Sequence, residues 1–189
     1  GGYGDVGSTI VAQLRDGGDT AVAAGRDPER ADRVVDLDRL DAASIDAAMS
    51  DVDVVINAAG AEDPALVSLV TARGKAFVDI TATTSYVAAV EGLVVNGPAL
   101  FSVGLAPGLT NLLAASVNAA APEQPIDVAV VLGAGEHHGA AAVAWSYQLL
   151  GRRFRDPASC DEVRSYSRPG PFDLPGRGTT FIRELPGPP

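Results

Sequence analysis

Six residues near the start, Gly2-Tyr3-Gly4-Asp5-Val6-Gly7, have the types and spacing to do chemistry. They form G-x-G-x-x-G. The residues that follow repeat apolar positions at Val6, Ile10, Val11 and Leu14, the period of a helix. Glycines so placed allow a tight turn and let the backbone approach a pyrophosphate closely. The helix that follows supplies N–H groups and a positive dipole end. Gly2, Gly4, Asp5, Val6 and Gly7 are therefore candidate contacts for a dinucleotide. A Gly-rich turn with no ligand would carry the same letters, so the surrounding elements have to decide.

Those elements alternate. Thr20 to Gly25 (TAVAAG) spells a short buried strand, and Arg26 to Arg30 a turn into a helix with Asp27 as cap and Pro28 at its first position. Arg33 to Leu37 is another apolar piece, and Ala42 to Met49 a short helix capped by Asp41. Val52 to Ala58 is the clearest strand, Pro64 to Arg73 a helix, and Ala76 to Ile80 a strand. The segment from Thr81 opens a helix through Leu93, and Ala99 to Leu105 is a further strand before an Ala/Leu-rich helix reaching about Ala121. Strand–helix repetition with short loops implies right-handed crossovers and an α/β, doubly wound parallel sheet of Rossmann type. Its ligand crevice lies at the carboxyl ends of the strands. The glycine motif should follow an apolar strand and none precedes it, so the expectation is that the chain is part of a longer one lacking its first strand.

Residues at those strand ends complete the dinucleotide reading. Folds selective for NAD place an acid about 20 residues after the glycines; this sequence has Arg26 there. A guanidinium suits a 2′-phosphate and stacks on adenine, which favours NADP, with NAD as the alternative. A surface Arg26 paired to Asp27 or Glu29 is the competing explanation. Asp36 and Leu37 are placed to flank the adenine, although Asp36 serves equally well as a loop acid. Asn57 and Ala58, in the run Asn57-Ala58-Ala59-Gly60, allow a dinucleotide to pass close to the backbone.

The stretch Val103-Gly104-Leu105-Ala106-Pro107-Gly108-Leu109-Thr110-Asn111 resembles a segment of the saccharopine dehydrogenase-like family of NAD(P)-dependent oxidoreductases. Gly25-Arg26 and Thr83-Thr84-Ser85-Tyr86-Val87 resemble the NADP-dependent saccharopine reductases of that family, and the similarity spans roughly residues 1–150. The resemblance implies cofactor contacts at Gly104 and Pro107, and hydride exchange at an amine or imine centre of a small amino-acid-derived substrate. It also implies a homodimer built on a second α/β domain for substrate and dimer contacts. On this reading residues 1–121 are the cofactor domain and residues 122–189 an incomplete piece of the second. Saccharopine reductases carry Asp where this chain has Ala106 and His where it has Asn111, which puts saccharopine itself in doubt.

Amine or imine chemistry calls for a proton donor or acceptor. His137 and His138 follow Gly133-Ala134-Gly135 and the strand expected at Ile126 to Leu132, and precede a helix over Ala140 to Leu150. His137 is the catalytic candidate, with solvated loop residues as the bland alternative. Asn111 and Tyr86 are further catalytic candidates; Asn111 serves equally well as a helix cap and Tyr86 as a packing aromatic. Trp145 reads as packing beneath the second domain or as a lid. Arg152, Arg153 and Arg155 read as a solvated helix end or as a carboxylate-binding patch. The tail from Arg168 is too weakly periodic to place.

Composition narrows the function classes. Fourteen Lys and Arg against 24 Asp and Glu leave a formal charge of −10, which argues against nucleic-acid or anionic-membrane partners and leaves a small-molecule substrate. One cysteine, Cys160, excludes an internal disulfide and a multi-Cys metal site; with two adjacent, diverging His side chains, no metal is expected. The single Cys and the lack of a leader pattern point to the cytoplasm. No apolar run reaches the roughly 18 residues of a membrane span. Two other classes stay open: an enoyl reductase-like enzyme acting on an apolar chain, and a non-catalytic NADP-binding sensor or scaffold.

Overall fold

Short apolar runs build two groups of parallel strands, and the segments between them build helices. The computed structural model describes residues 1–93, 95–122, 124, 126, 128–130, 139–156, 160–167, 169–174, 176 and 178–182. The chain divides into two compact units, Gly1–Glu136 and His137–Pro189.

In the first unit the order is α1 (Asp5–Asp16), β1 (Ala24–Gly25), β2 (Arg33–Val34), α2 (Ala42–Met49), β3 (Val54–Asn57), α3 (Pro64–Thr71), β4 (Ala76–Asp79), α4 (Thr84–Glu91), β5 (Ala99–Leu100) and α5 (Thr110–Ala120). β1 pairs in parallel with β2, and β3-β4-β5 form a second parallel group with Val55 opposite Phe77 and Phe77 opposite Ala99. This is the α/β, Rossmann-like arrangement expected from the alternation. Gly1 and Gly2 sit beside the carboxyl ends of β1 and β3. Their nitrogens donate to the Ala24 carbonyl at 3.0 and 2.9 Å, and the Gly1 backbone lies against Ala58.

Local chemistry explains the helix starts. Asp41 accepts from the Ser44 amide at 3.0 Å, and Asp63 from the Ala65 amide at 2.8 Å with Pro64 at the first helical position. α2, α3 and α4 each bury one face against the strands. Ile45 and Met49 of α2, Leu66, Val67 and Val70 of α3, and Tyr86 and Val90 of α4 surround Phe77, which is wholly buried. Phe101, just past β5, packs its ring 5.9 Å from that of Phe77 and 6.1 Å from that of Tyr86. Around β1, Arg15 donates twice to the Ala21 carbonyl and once to Asp32. The Ala23 amide, then Arg15, hold the Asp32 carboxyl below its usual range.

Several expectations are corrected. The strands are shorter than their apolar runs: β1 spans Ala24–Gly25, β2 spans Arg33–Val34, and β5 stops at Leu100 because Ser102 turns left-handed at φ 57°. Residues 28–30 form a turn, not a helix: Asp27 accepts from the Glu29 amide, but the chain enters β2 at Arg33, which leaves too few residues for a helix to continue. Ile126 and Val128 to Val130 lie in no strand; Val131 and Leu132, which the expected strand also includes, fall outside the described residues.

In the second unit α6 (Ala140–Leu149) stands where the sequence placed it. The arginine run is a strand and not a helix end: β6 (Arg153–Arg155) pairs antiparallel with β7 (Glu162–Arg164), and Arg153 forms an ion pair with Glu162. The tail contains a hairpin, β8 (Gly170–Leu174) with β9 (Gly178–Ile182), whose turn uses positive φ at Gly176 and Gly178.

The core assignment has a direct check. Phe77→Ala is expected to cost about 3–5 kcal/mol in denaturant unfolding. Leu112→Ala, at a position 71% exposed on α5, is expected to change stability by less than about 0.5 kcal/mol.

Candidate functional site

The carboxyl ends of the parallel strands collect most of the candidate residues. The glycine loop comes first. Gly4 precedes α1 and offers no side chain to cap it, and its amide donates to the Gly1 carbonyl at 3.0 Å. Gly2 and Gly7 are glycines because the protein itself fills the space. A Cβ on Gly2 would lie 2.6 Å from the Ala23 Cα, and one on Gly7 would lie 2.0 Å from the Gly1 carbonyl oxygen. Gly4 is different. Its backbone is extended at φ −75°, ψ 174°, which any residue adopts, and a Cβ there would meet nothing of the protein nearer than 3.4 Å. Open space beside the helix N-terminus is left, which one methyl group would enter.

Tyr3, between the two glycines, lies across the end of β1. Its ring takes the place of a side chain on Gly25, where a Cβ would come within 2.2 Å of it. Its hydroxyl accepts from the Asp27 amide at 3.0 Å, and the Arg30 guanidinium sits 4.6 Å from its ring centroid while donating to the Tyr3 carbonyl. Arg26 follows Gly25 and points a largely exposed guanidinium at Asp38, 2.8 Å away. Its partner is therefore Asp38 and neither Asp27 nor Glu29. Arg26 lies near the glycine loop, since it follows Gly25, against which the Tyr3 ring packs. Asp36 accepts from the Asp38 amide and pairs with Arg39, while Leu37 packs against the core. Asp5 uses its carbonyl on the Ser8 and Thr9 hydroxyls, and Val6 is exposed on the first turn of α1.

At the carboxyl ends of β3 and β4 lies a polar cluster centred on a residue that the sequence alone does not single out. Asp79 ends β4 and is wholly buried. One carboxyl oxygen accepts from the Asn57 amide and from the Tyr86 hydroxyl, each at 2.9 Å; the other accepts from the Thr81 amide at 2.7 Å. Asn57 also donates to the Ala61 carbonyl and accepts from the Ala59 amide, so the loop after β3 wraps around its side chain. Ala58 sits on that loop against Gly1. The Asp79 carbonyl accepts from the Val103 amide, which ties in the end of β5. The visible signal for Asp79 was an acid closing the apolar run Ala-Phe-Val-Asp at the crevice end of a strand.

Of the remaining candidates, Tyr86 belongs to this cluster. Tyr86 is in the core; burial first, and then its bond to Asp79 and that group's charge, push its phenol far above the ordinary value of 10.0. It stays a protonated donor. Gly104 and Pro107 belong to an irregular turn over Leu105–Leu109, reached from β5. Asn111, exposed at the start of α5, accepts from the Gly108 amide and the Thr110 hydroxyl at 3.3 Å each. His137 and His138 lie outside the described residues. In the second unit Arg153, Phe154, Arg155, Cys160 and Glu162 line a shallow recess. Among the described residues no three His, Cys, Asp or Glu side chains gather as a metal site, and no helix is long and apolar enough to cross a membrane.

Residues 1–96 match a protein family described as NAD(P)H-binding. No curated protein and no solved structure matches the chain. The matched span contains the glycine loop, Arg26, Asn57, Asp79 and Tyr86.

The state of Tyr86 can be checked by absorbance. The folded chain holds this proton when the unfolded chain has lost it, so stability falls as pH rises above 10.0. Of the four tyrosines, one is expected to ionise only as the chain unfolds, and Tyr86→Phe to remove that late step from the tyrosinate titration.

Proposed function

The chain belongs to the NAD(P)H-binding family, and from that premise we propose that it is an NADP-preferring oxidoreductase of saccharopine dehydrogenase-like type. It would move hydride to or from a carbon–nitrogen centre of a small amino-acid-derived substrate. The observation that carries the cofactor part is Gly4. Neither backbone conformation nor packing within the protein requires glycine there, and the space a Cβ would take opens at an uncapped helix N-terminus. A pyrophosphate is the group that needs both features.

Gly2, Gly4 and the first turn of α1 would hold the pyrophosphate, and the loop after Asn57 would flank it. Arg26 supports NADP over NAD: its present partner, Asp38, is an exposed acid, and an exposed pair of this kind is worth little. A 2′-phosphate with more charge and three acceptor oxygens competes well for the same guanidinium. The nicotinamide supplies the hydride chemistry when bound; the protein's part is to orient it and exclude water. Support for the carbon–nitrogen class comes from the resemblance over Val103 to Asn111, as do the homodimer and the substrate class.

A second reading, an NADP-binding module without turnover, is favoured by two observations. Tyr86 spends its hydroxyl on Asp79 in the core, and the Asn111 carbonyl oxygen is turned back on its own turn. Turnover of any member of an amine and imine panel with NADP(H) would decide against it.

Two variants test the cofactor site. Gly4→Ala is expected to melt with the wild type and to lose NADPH affinity by at least about 10-fold, since its Cβ makes only an ordinary contact with the Gly1 carbonyl oxygen but enters the space proposed for the pyrophosphate. Arg26→Ala is expected to weaken NADPH by about 10- to 100-fold and to leave NADH nearly unchanged. Equal losses for the two nucleotides would refute the 2′-phosphate role.

A further inference from the structure

Among the described residues Asp79 is the one charged side chain with no exposure at all. Burying a carboxyl group costs more than filling the same space with an apolar side chain, so packing alone gives no reason for an acid there. Its position gives one. The groups that donate to it come from three separate segments: Asn57 at the end of β3, Thr81 after β4 and Tyr86 in α4. Every one of these segments lies at the carboxyl edge of the sheet.

The Asn57 branch leads to the glycine loop. The side-chain amide held by Asp79 at 2.9 Å also donates to the Ala61 carbonyl at 2.9 Å, and its oxygen accepts from the Ala59 amide at 3.1 Å. Residues 58–61 are thereby folded around one side chain. Their near end abuts Gly1 so closely that a Cβ there would fall 2.3 Å from the Ala58 oxygen and 2.6 Å from the Ala59 nitrogen. A continuous line of contacts runs from Asp79 through Asn57 and residues 58–59 to the start of the G-x-G-x-x-G loop. Turning the Asn57 amide would shift the wall against which that loop rests.

We propose that Asp79 is a positioning residue for the dinucleotide site: it fixes the Asn57 amide, and through it holds residues 58–61 against the glycine loop. This rests on the cofactor site proposed above. Asp79 is too deeply buried to touch a ligand, so it acts only through Asn57. Three donors converge on its two oxygens, and an amide in its place would turn an NH2 group toward at least one of them.

The test compares full-length Asp79→Asn with Val70→Ala. Val70 is a wholly buried residue of α3 that serves as a control for loss of stability alone. Two quantities are read: amide hydrogen exchange of residues 58–61 in the unliganded chain, and NADPH affinity by nicotinamide fluorescence. Asp79→Asn is expected to speed exchange at 58–61 by about 10-fold or more beyond any global change, and to weaken NADPH by about 10-fold. Val70→Ala should change exchange there only in step with its melting temperature. Unaltered local exchange in Asp79→Asn, or the same local change in Val70→Ala, overturns the proposal. Should Asp79→Asn fail to fold, Asn57→Ala breaks the same line from its other end, and normal exchange at 58–61 in that variant overturns it equally. A wild-type chain that binds no NADPH would sink the cofactor reading, while the exchange result still reports on the positioning.

Discussion

A carboxyl group taken out of water must be met by hydrogen-bond donors, and meeting Asp79 organises one side of the crevice. The donors sit at positions 57, 81 and 86, on a strand end, a loop and a helix. They reach one point only if β3 and β4 pair in the observed register, with Asn57 directly opposite Asp79. A slip by one residue would send Asp79 to the other face of the sheet and leave its donors behind. The apolar packing around Phe77 drives the collapse of this unit, and the polar cluster makes one register far better than its neighbours.

The glycine loop obeys a complementary, steric constraint. Gly2 and Gly7 let the loop, α1 and the end of β1 approach to distances at which a Cβ would collide with backbone. Gly4 is unconstrained by the protein. The motif therefore divides into glycines that build the loop and one that leaves room beside it. Tyr3 adds a second tie, covering Gly25 and holding Arg30 at the loop through its carbonyl and its ring. The two constraints meet where Gly1 touches Ala58.

Much of the first unit was legible because its signals are local. Asp41 caps α2 within three residues of itself, and the run Val52 to Ala58, of which Val54–Asn57 is the strand, reads as a strand without knowledge of its neighbours. G-x-G-x-x-G is equally local. Asp79 was not legible as a centre, since an acid at a strand end looks like a solvated loop residue until pairing brings Asn57 and Tyr86 to it. Arg26 was assigned the wrong possible partners for a related reason: Asp27 and Glu29 are near in sequence, while Asp38 is brought near by the parallel pairing of β1 with β2. Arg152, Arg153 and Arg155 read as a helix end or a carboxylate-binding patch, and not as a strand, because three-residue strands such as Arg153–Arg155 are too short to show alternation. The tail hairpin did carry a signal, Pro175-Gly176 followed by Gly178, which marks a turn between two five-residue strands.

The central claim is that a dinucleotide lies at the carboxyl edge of the parallel sheet, over Gly4. Amide chemical-shift mapping of the isotope-labelled chain during titration with NADPH tests it most directly. The account predicts saturable shifts concentrated at residues 2–7, at Arg26 and at residues 57–60. Saturable shifts confined to other parts of the chain, or none at all, would contradict it.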